Sequence, residues 1–297
     1  MATRIARRWY AWLLVPALGL APLVVSLQPA RADLVQAAGG GHGSIDWTTG
    51  MIKVTGSGAP PSQGSVASKR LMAMRAARVD ALRQLGEIVN GVKVDSETVV
   101  KDFVTESDTI KTQMSALVKG AQQVGEARYL SDGAVEIDLV LPMYGQGNMA
   151  DIIQPQKPKV QPKAYKPPVE SKLEPEAETS SETYTGVIVD CQGLGGQPAM
   201  SPAIMDSSGG EIYLGKKELS DSFCDFVIEH GIVVYANSKG DANKLERIGN
   251  HPLIVRATKI SGRFKADAVL DNRSAQKLLS AEASGKILTN AKVAFIL

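Results

Sequence analysis

"VIVDCQGLGGQPAMSP", Val187–Pro202, decides between two folds. A strand-like run, Val187–Val189, meets Asp190, Cys191 and then Gly193, Gly195 and Gly196. In a doubly wound dinucleotide fold, G-x-G-x-x-G sits between a strand and a helix, and the pyrophosphate rests on the helix N-terminus. Here Pro198 holds the place of the third glycine, where the helix must pack closely. The next residues, "AMSPAIMDSSGGEIY", read as a hairpin turning at Ser207 to Gly210. A second glycine pair, Gly56 and Gly58, does precede a helical stretch, but Pro60-Pro61 intervenes. The next acid, Asp95, comes 95 − 58 = 37 residues after Gly58, where about 20 is expected. Both glycine stretches therefore read as bends where a strand leaves its sheet, and the fold as α+β.

The two stretches are alike. "TGMIKVTGSGAPP" from Thr49 and "TGVIVDCQGLGGQP" from Thr185 share Thr-Gly, an apolar strand, a G-x-G and a proline. Each opens a segment. In the first, 44–147, "WTTGMIKVTG" reads as a strand and about Ser65 to Asn90 as a long helix, with Leu71, Met74, Leu82, Leu85 and Val89 at helical spacing. "VKVDSETVV" reads as extended, and a second helix covers about Ser107 to Val118. A hairpin closes the segment, turning at Asp132-Gly133. Val135, Ile137, Leu139 and Leu141 share one face, with Glu136 and Asp138 on a solvated other face.

The second segment, 184–297, reads as α+β or α/β. "IVVYAN", "LIVRATKI", "KADAVLD" and the terminal "KVAFIL" are its strands, and "DANKLERIG" and "NRSAQKLLSAEA" its helices. Between the segments, 148–183 is a linker whose stretch from Gln154 carries six prolines, a lysine-rich first half and a glutamate-rich second half. Such a linker predicts two small sheet-plus-helix domains with no fixed mutual orientation.

The N-terminus reads as an export signal over 1–32. Arg4, Arg7 and Arg8 precede the apolar run Trp9–Leu27, and "ARA", Ala30–Ala32, offers a cleavage site. The rival is an uncleaved anchor, since the run is long enough to span a bilayer, although Pro16 and Pro22 interrupt it. No cysteine lies near the site to carry a lipid. Removing four arginines and no acids takes the net charge from +2 to 2 − 4 = −2. A near-neutral chain with Trp47 as its single remaining tryptophan has no general pull on nucleic acid. The mature start, 33–43, is glycine-rich and expected to be loose, with His42 inside it as a solvated loop residue.

No catalytic or cofactor motif emerges. His42, His230 and His251 lack metal-ligand spacing, neither cysteine has a CxxC partner, and Asp206, Asp221 and Asp225 form no calcium loop. Cys224 and His230 are six residues apart, which separates them on a helix, and G-x-S-x-G is missing. Cys191 and Cys224 are a candidate disulfide in an oxidising compartment, the alternative being two buried thiols.

The first segment resembles a known family. "W-x-x-G-x-I-x-x-x-G-x-G", "SKRLMAMRAARVDALRQLGEIVNGVKV", "DTIKTQMSALVKGAQQV" and "YLSDGAVEIDLVLPMYG" are together similar to the twenty-kilodalton outer-membrane lipoprotein family, over about residues 45–147. That family includes flagellar outer-membrane-ring protein P, and the N-terminal domain of flagellar assembly protein T looks related. The resemblance implies a non-enzymatic envelope protein, without cofactor, that assembles with itself or with other envelope or flagellar proteins. The chain departs from the lipoprotein members in lacking the acylated cysteine, which favours the periplasm over a lipid anchor. The alternative expectation is a periplasmic module that binds a small ligand or peptidoglycan.

Overall fold

The glycine-rich start is folded rather than loose. Val35–Ala38 (β1) and Gly43–Asp46 (β2) pair antiparallel, and β2 pairs in turn with Met51–Gly58 (β3). Gly39, Gly40 and Gly41 all have positive φ, which lets three consecutive residues reverse the chain where side chains would be strained. The computed structural model describes residues 33–153, 183–213 and 221–297. The expected export signal and most of the Pro-rich linker lie outside the described residues.

Val66–Gly91 (α1) starts at Ser65, whose hydroxyl accepts from Ser68 N at 3.2 Å. Of the expected apolar face, Leu85 and Val89 are fully buried and Met74 and Leu82 partly so, but the N-terminal half of the helix is buried through alanines instead of Leu71. Ala73, Ala77 and Ala81 are fully buried, whereas Leu71 is 49% exposed. The reason lies in β3. Gly56 and Gly58 are not a turn but strand residues, and they lie directly under the alanines. A Cβ on Gly56 would sit 2.5 Å from the Ala81 methyl and closer still to the Ala77 carbonyl oxygen and the Ala81 nitrogen. Helix and sheet meet backbone to backbone, so only the smallest residues fit.

The stretch expected to be extended is non-helical up to Val99, with Lys93 and Val99 paired in an antiparallel bridge, and Val100–Glu106 (α2) follows, where Asp102 Oδ2 accepts from Val99 N at 2.9 Å. Asp108–Lys119 (α3) is next. Gln122–Tyr129 (β4) and Val135–Pro142 (β5) form the expected hairpin, and the sheet order is β1-β2-β3-β5-β4. Asn148 does not open the linker, because Met149–Ile153 (α4) folds back with Met149 and Ile153 in the core.

The second segment holds a parallel sheet. Gly186–Asp190 (β6) is buried along its whole length, as a strand covered on both faces must be. Then come Ile204–Met205 (β7), Glu211–Tyr213 (β8), Asp221–His230 (α5), Val234–Ala236 (β9), Lys239–Ala242 (α6) and Pro252–Arg256 (β10). Lys259–Ser261 (β11), Asp267–Val269 (β12), Asn272–Gly285 (α7) and Val293–Ile296 (β13) complete the chain. One sheet has the order β10-β6-β13-β9, all parallel, and a smaller one the order β11-β12-β7-β8. The fold is α+β. The likeness of the two Thr-Gly stretches ends with the strand itself: β3 is antiparallel to its neighbours and β6 parallel to its own.

The segments are not free of one another. Ala32–Leu297 is one compact unit, and a single hydrophobic cluster runs through both sheets. Met200 N donates to Lys93 O (2.9 Å), Ser201 N to Val94 O (2.6 Å), Phe264 N to Ser96 O (2.9 Å) and Gly145 N to Ile228 O (2.7 Å). The Trp47 and Tyr235 rings meet edge to face at 6.0 Å. Whatever reach the linker allows, buried backbone groups satisfied across the junction fix the orientation.

Candidate functional site

The glycine-rich stretch after β6 carries the chain from one sheet to the other. Leu194 N donates to Cys191 O at 3.2 Å in a tight turn, with Gly193 and Gly195 at φ 77° and 69°. The chain then runs extended: Gln197 N bonds Lys265 O at 2.9 Å before Met200 and Ser201 reach the first segment. The Tyr235 hydroxyl fixes this path, accepting from Ala199 N (3.0 Å) and donating to Ala199 O (2.7 Å). No helix N-terminus succeeds the glycines, so the element that holds a pyrophosphate is missing there.

In a parallel sheet, ligands gather at the carboxyl rim of the strands. That rim holds Asp190, only 3% exposed at its side chain. Lys239 Nζ lies 3.1 Å and Arg256 Nη1 2.9 Å from Asp190 Oδ2. Burial opposes the Asp190 charge, but the Gln192 N–H and the two cations outweigh it and hold the carboxyl below its usual range. Arg256 Nη2 also donates to Gln192 O at 2.8 Å. The arrangement neutralises a buried acid at the end of β6.

Next to it, Cys191 is a buried free thiol. Burial, helped by the Asp190 charge, pushes it up to about 12, so it carries negligible thiolate at neutral pH. Cys224 is half-buried on α5, and the candidate Cys191–Cys224 bridge is not made in this structure. An even number of cysteines allows a disulfide, but Cys191 is buried at the end of a central strand.

A crevice of about 280 Å³ lies at the junction, lined by Trp47, Thr49, Pro142, Tyr144, Glu229 and His230 among others. Its floor is made by Tyr144 wedged between two glycines. Gly50 and Gly231 have φ 68° and 73°, and a Cβ on Gly231 would lie 2.8 Å from Tyr144 Cζ. Burial pushes the Tyr144 hydroxyl up to about 12. Arg247 donates to the carbonyl of His230 (3.0 Å), the last residue of α5, to those of Gly231 and Ile232 just after it (both 2.8 Å), and to Ala291 O (2.5 Å). A cation on the last carbonyls of a helix satisfies them and complements the dipole. Burial lowers the Arg247 pKa.

On the first sheet, the face away from α1 is not simply solvated. Asp138 is 9% exposed. Arg128 Nη2 (2.9 Å) and Lys53 Nζ (3.0 Å) close over it, and Thr55 Oγ1 donates at 2.8 Å. The Arg128 guanidinium, then Lys53 and Thr55, hold the Asp138 carboxyl well below the usual range despite burial. Glu136 takes Arg128 Nε at 3.2 Å. Beyond this network β4 is the sheet edge. Val124, Tyr129 and the adjacent Leu130 are 49%, 49% and 42% exposed, and Arg70 of α1 stacks on Tyr129 at 4.6 Å.

The histidines stay apart: His42 is exposed in the β1–β2 turn, His230 ends α5 and His251 stacks on Tyr184 at 5.3 Å. Asp206 shapes the β7–β8 turn, its Oδ1 accepting from Ser208 N and Gly210 N at 2.8 and 2.7 Å. Among the described residues, no three His, Cys, Asp or Glu side chains are placed to hold a metal.

The second segment has a counterpart among known families. Residues 186–297 match the family model of Treponema pallidum Tp0624, second domain. The match begins at the first residue of β6 and takes in both sheets of that segment, and it covers none of residues 45–147. No curated protein matches the chain. Sequence reading missed Arg247, Tyr144 and the edge character of β4. Only Tyr144 had a signal, since Thr49-Gly50 and His230-Gly231 each place a glycine where its ring packs.

Proposed function

We propose that the chain is a non-enzymatic exported protein of the periplasm, associated with the outer membrane, whose role is structural or in assembly. Its sharpest form is a flagellar ring or basal-body accessory component. The observation that carries this reading is where the apolar surface lies. Of the nine large hydrophobic residues exposed among the described residues, seven are on α1 (Val66, Leu71, Met72, Val79) or on the β4 side of the hairpin (Val124, Tyr129, Leu130). Exposed apolar side chains gathered on one helix and on the neighbouring sheet edge mark places for a partner protein. The basic n-region, the apolar run and the Ala-Arg-Ala site support export, and the family resemblance over 45–147 supports an envelope role. No described helix is long and apolar enough to cross a membrane.

The test is deletion of the gene together with sedimentation of the purified chain. Loss of motility or of envelope integrity, with higher oligomers of the chain alone or with an envelope partner, is expected. A strictly monomeric chain whose deletion changes neither would refute the reading. The crevice between Trp47, Tyr144 and His230 favours a second reading, a module for a small polar ligand such as a peptidoglycan fragment. Titration with such fragments should then move the Trp47 fluorescence.

A further inference from the structure

The outer edge of β4 is built to meet a strand. Residues 122–126 and 128–130 are all exposed. Between Val124 and Arg128, the three residues Gly125–Ala127 face the single residue Ile137 of β5. A bulge of this kind leaves backbone groups that the neighbouring strand does not take up, and an edge row of N–H and C=O is a template for another strand. The opposite edge, β1, is instead tied to the second segment by Gln36–Gln197 (3.5 Å) and by Asn237 Nδ2 on Asp33 O (3.0 Å).

We propose that two copies of the chain pair antiparallel through β4, about a two-fold axis at Ala127. The inference rests on the assembly reading under Proposed function and names its partner, a second copy. Symmetry limits the registers. Successive residue pairs in an antiparallel ladder alternate between hydrogen-bonded and non-hydrogen-bonded, and a two-fold axis cannot relate the two kinds. One residue must therefore lie opposite its own copy. An axis at Glu126 or Arg128 sets like charges face to face, and an axis at Gly125 sets Glu126 against Val124. An axis at Ala127 sets Glu126 against Arg128, Val124 against Leu130 and Tyr129 against Gly125, each of them twice.

These are favourable cross-strand pairs: opposite charges, two aliphatic chains, and an aromatic ring over a glycine. Arg128 engages Glu136 and Asp138 through Nε and Nη2, which leaves Nη1 for the carboxylate of the second copy. Tyr129 is already held by Arg70 on the α1 side. The contact is isologous, so it closes at a dimer, and a larger ring would need a further surface.

The experiment is sedimentation equilibrium on residues 33–297, which lie within the compact unit Ala32–Leu297, with site-directed cross-linking. Ala127→Cys should give a disulfide-linked dimer under mild oxidation while the parent chain gives none. Glu126→Arg, which sets arginine against arginine twice, should weaken the dimer about tenfold. Raised salt should weaken the parent dimer and leave that variant less affected. A parent chain that stays monomeric at its highest soluble concentration overturns the pairing and means that the bulge turns the edge away from partners. Oligomers that form without the Ala127→Cys cross-link, and that Glu126→Arg does not weaken, overturn this pairing while leaving the assembly reading standing.

Discussion

Replacing Gly56 by alanine adds one methyl group where β3 meets α1. The new carbon would sit 2.5 Å from the Ala81 methyl and nearer still to the Ala77 carbonyl oxygen and the Ala81 nitrogen, whereas carbon contacts are optimal at about 3.5–4.0 Å. Gly56 lies in a regular strand and not among the positive-φ glycines, so packing alone resists the substitution. Two of the three obstacles are helix backbone, which cannot swing aside, and α1 must retreat by about 1 Å to restore that separation. Retreat loosens Ala73, Ala77 and Ala81, all fully buried. Overpacking of a tight core costs about 1–3 kcal/mol, and a backbone obstacle puts Gly56→Ala at ~3 kcal/mol. Gly86, on the same helix, has nothing within 4 Å of its would-be Cβ. Gly86→Ala should therefore stabilise by up to about 1 kcal/mol through helix propensity. Urea unfolding monitored by circular dichroism measures both. With a slope of ~3 kcal/mol/M, the Gly56→Ala midpoint should fall by about 1 M and the Gly86→Ala midpoint should rise. Equal midpoints for parent and Gly56→Ala would refute the backbone-contact account of the first domain.

Arg247→Met strips the cation from four carbonyls, three at or just after the end of α5 and one just before β13, and should cost ~3–5 kcal/mol in the same assay. Because the folded-state pKa of Asp138 is depressed, its pairing contributes stability that is full above the unfolded carboxylate range and is lost as pH falls below about 4. Asp138→Asn should flatten that acid limb and lower stability at pH 7. Asp267 works with the opposite sign: burial raises its pKa, so its contribution improves as pH falls through the folded value, and Asp267→Asn should be mildest at neutral pH. The Cys191 thiol should resist thiol reagents in the native chain and react once unfolded without reductant; protection that persists after unfolding would restore the disulfide.

Patterned elements could be read from sequence, and contacts made by backbone could not. The β4–β5 hairpin is legible because Val135, Ile137, Leu139 and Leu141 alternate with polar residues around an Asp-Gly turn. The extent of α1 is legible too, and so are Leu85 and Val89 of its buried face, but the buried face of its N-terminal half is not. Leu71 and Met72 outweigh Ala73 and Ala77 in hydropathy, whereas Gly56 and Gly58 admit only the alanines. The β1–β2 hairpin hides because its turn is a glycine run, the same composition as a loose tail. The junction hides for a deeper reason. Its bonds use the carbonyls of Lys93, Val94 and Ser96, and a carbonyl has no residue signature. A Pro-rich linker between the segments then points to independence. Of the site features, the carboxylates on β5 were visible as residues, but the cover of Lys53 and Arg128 over Asp138 depends on strand register.

The junction also has a consequence in time. A chain made from its N-terminus presents Trp47, Tyr144 and the Lys93–Ser96 carbonyls before Tyr235 and Phe264 exist to meet them. Until the last strands arrive, the first sheet holds a wet, half-finished wall open to any passing chain. On the export route proposed above, that interval is when a chaperone would matter most, and shortening the C-terminus should trap the chain there.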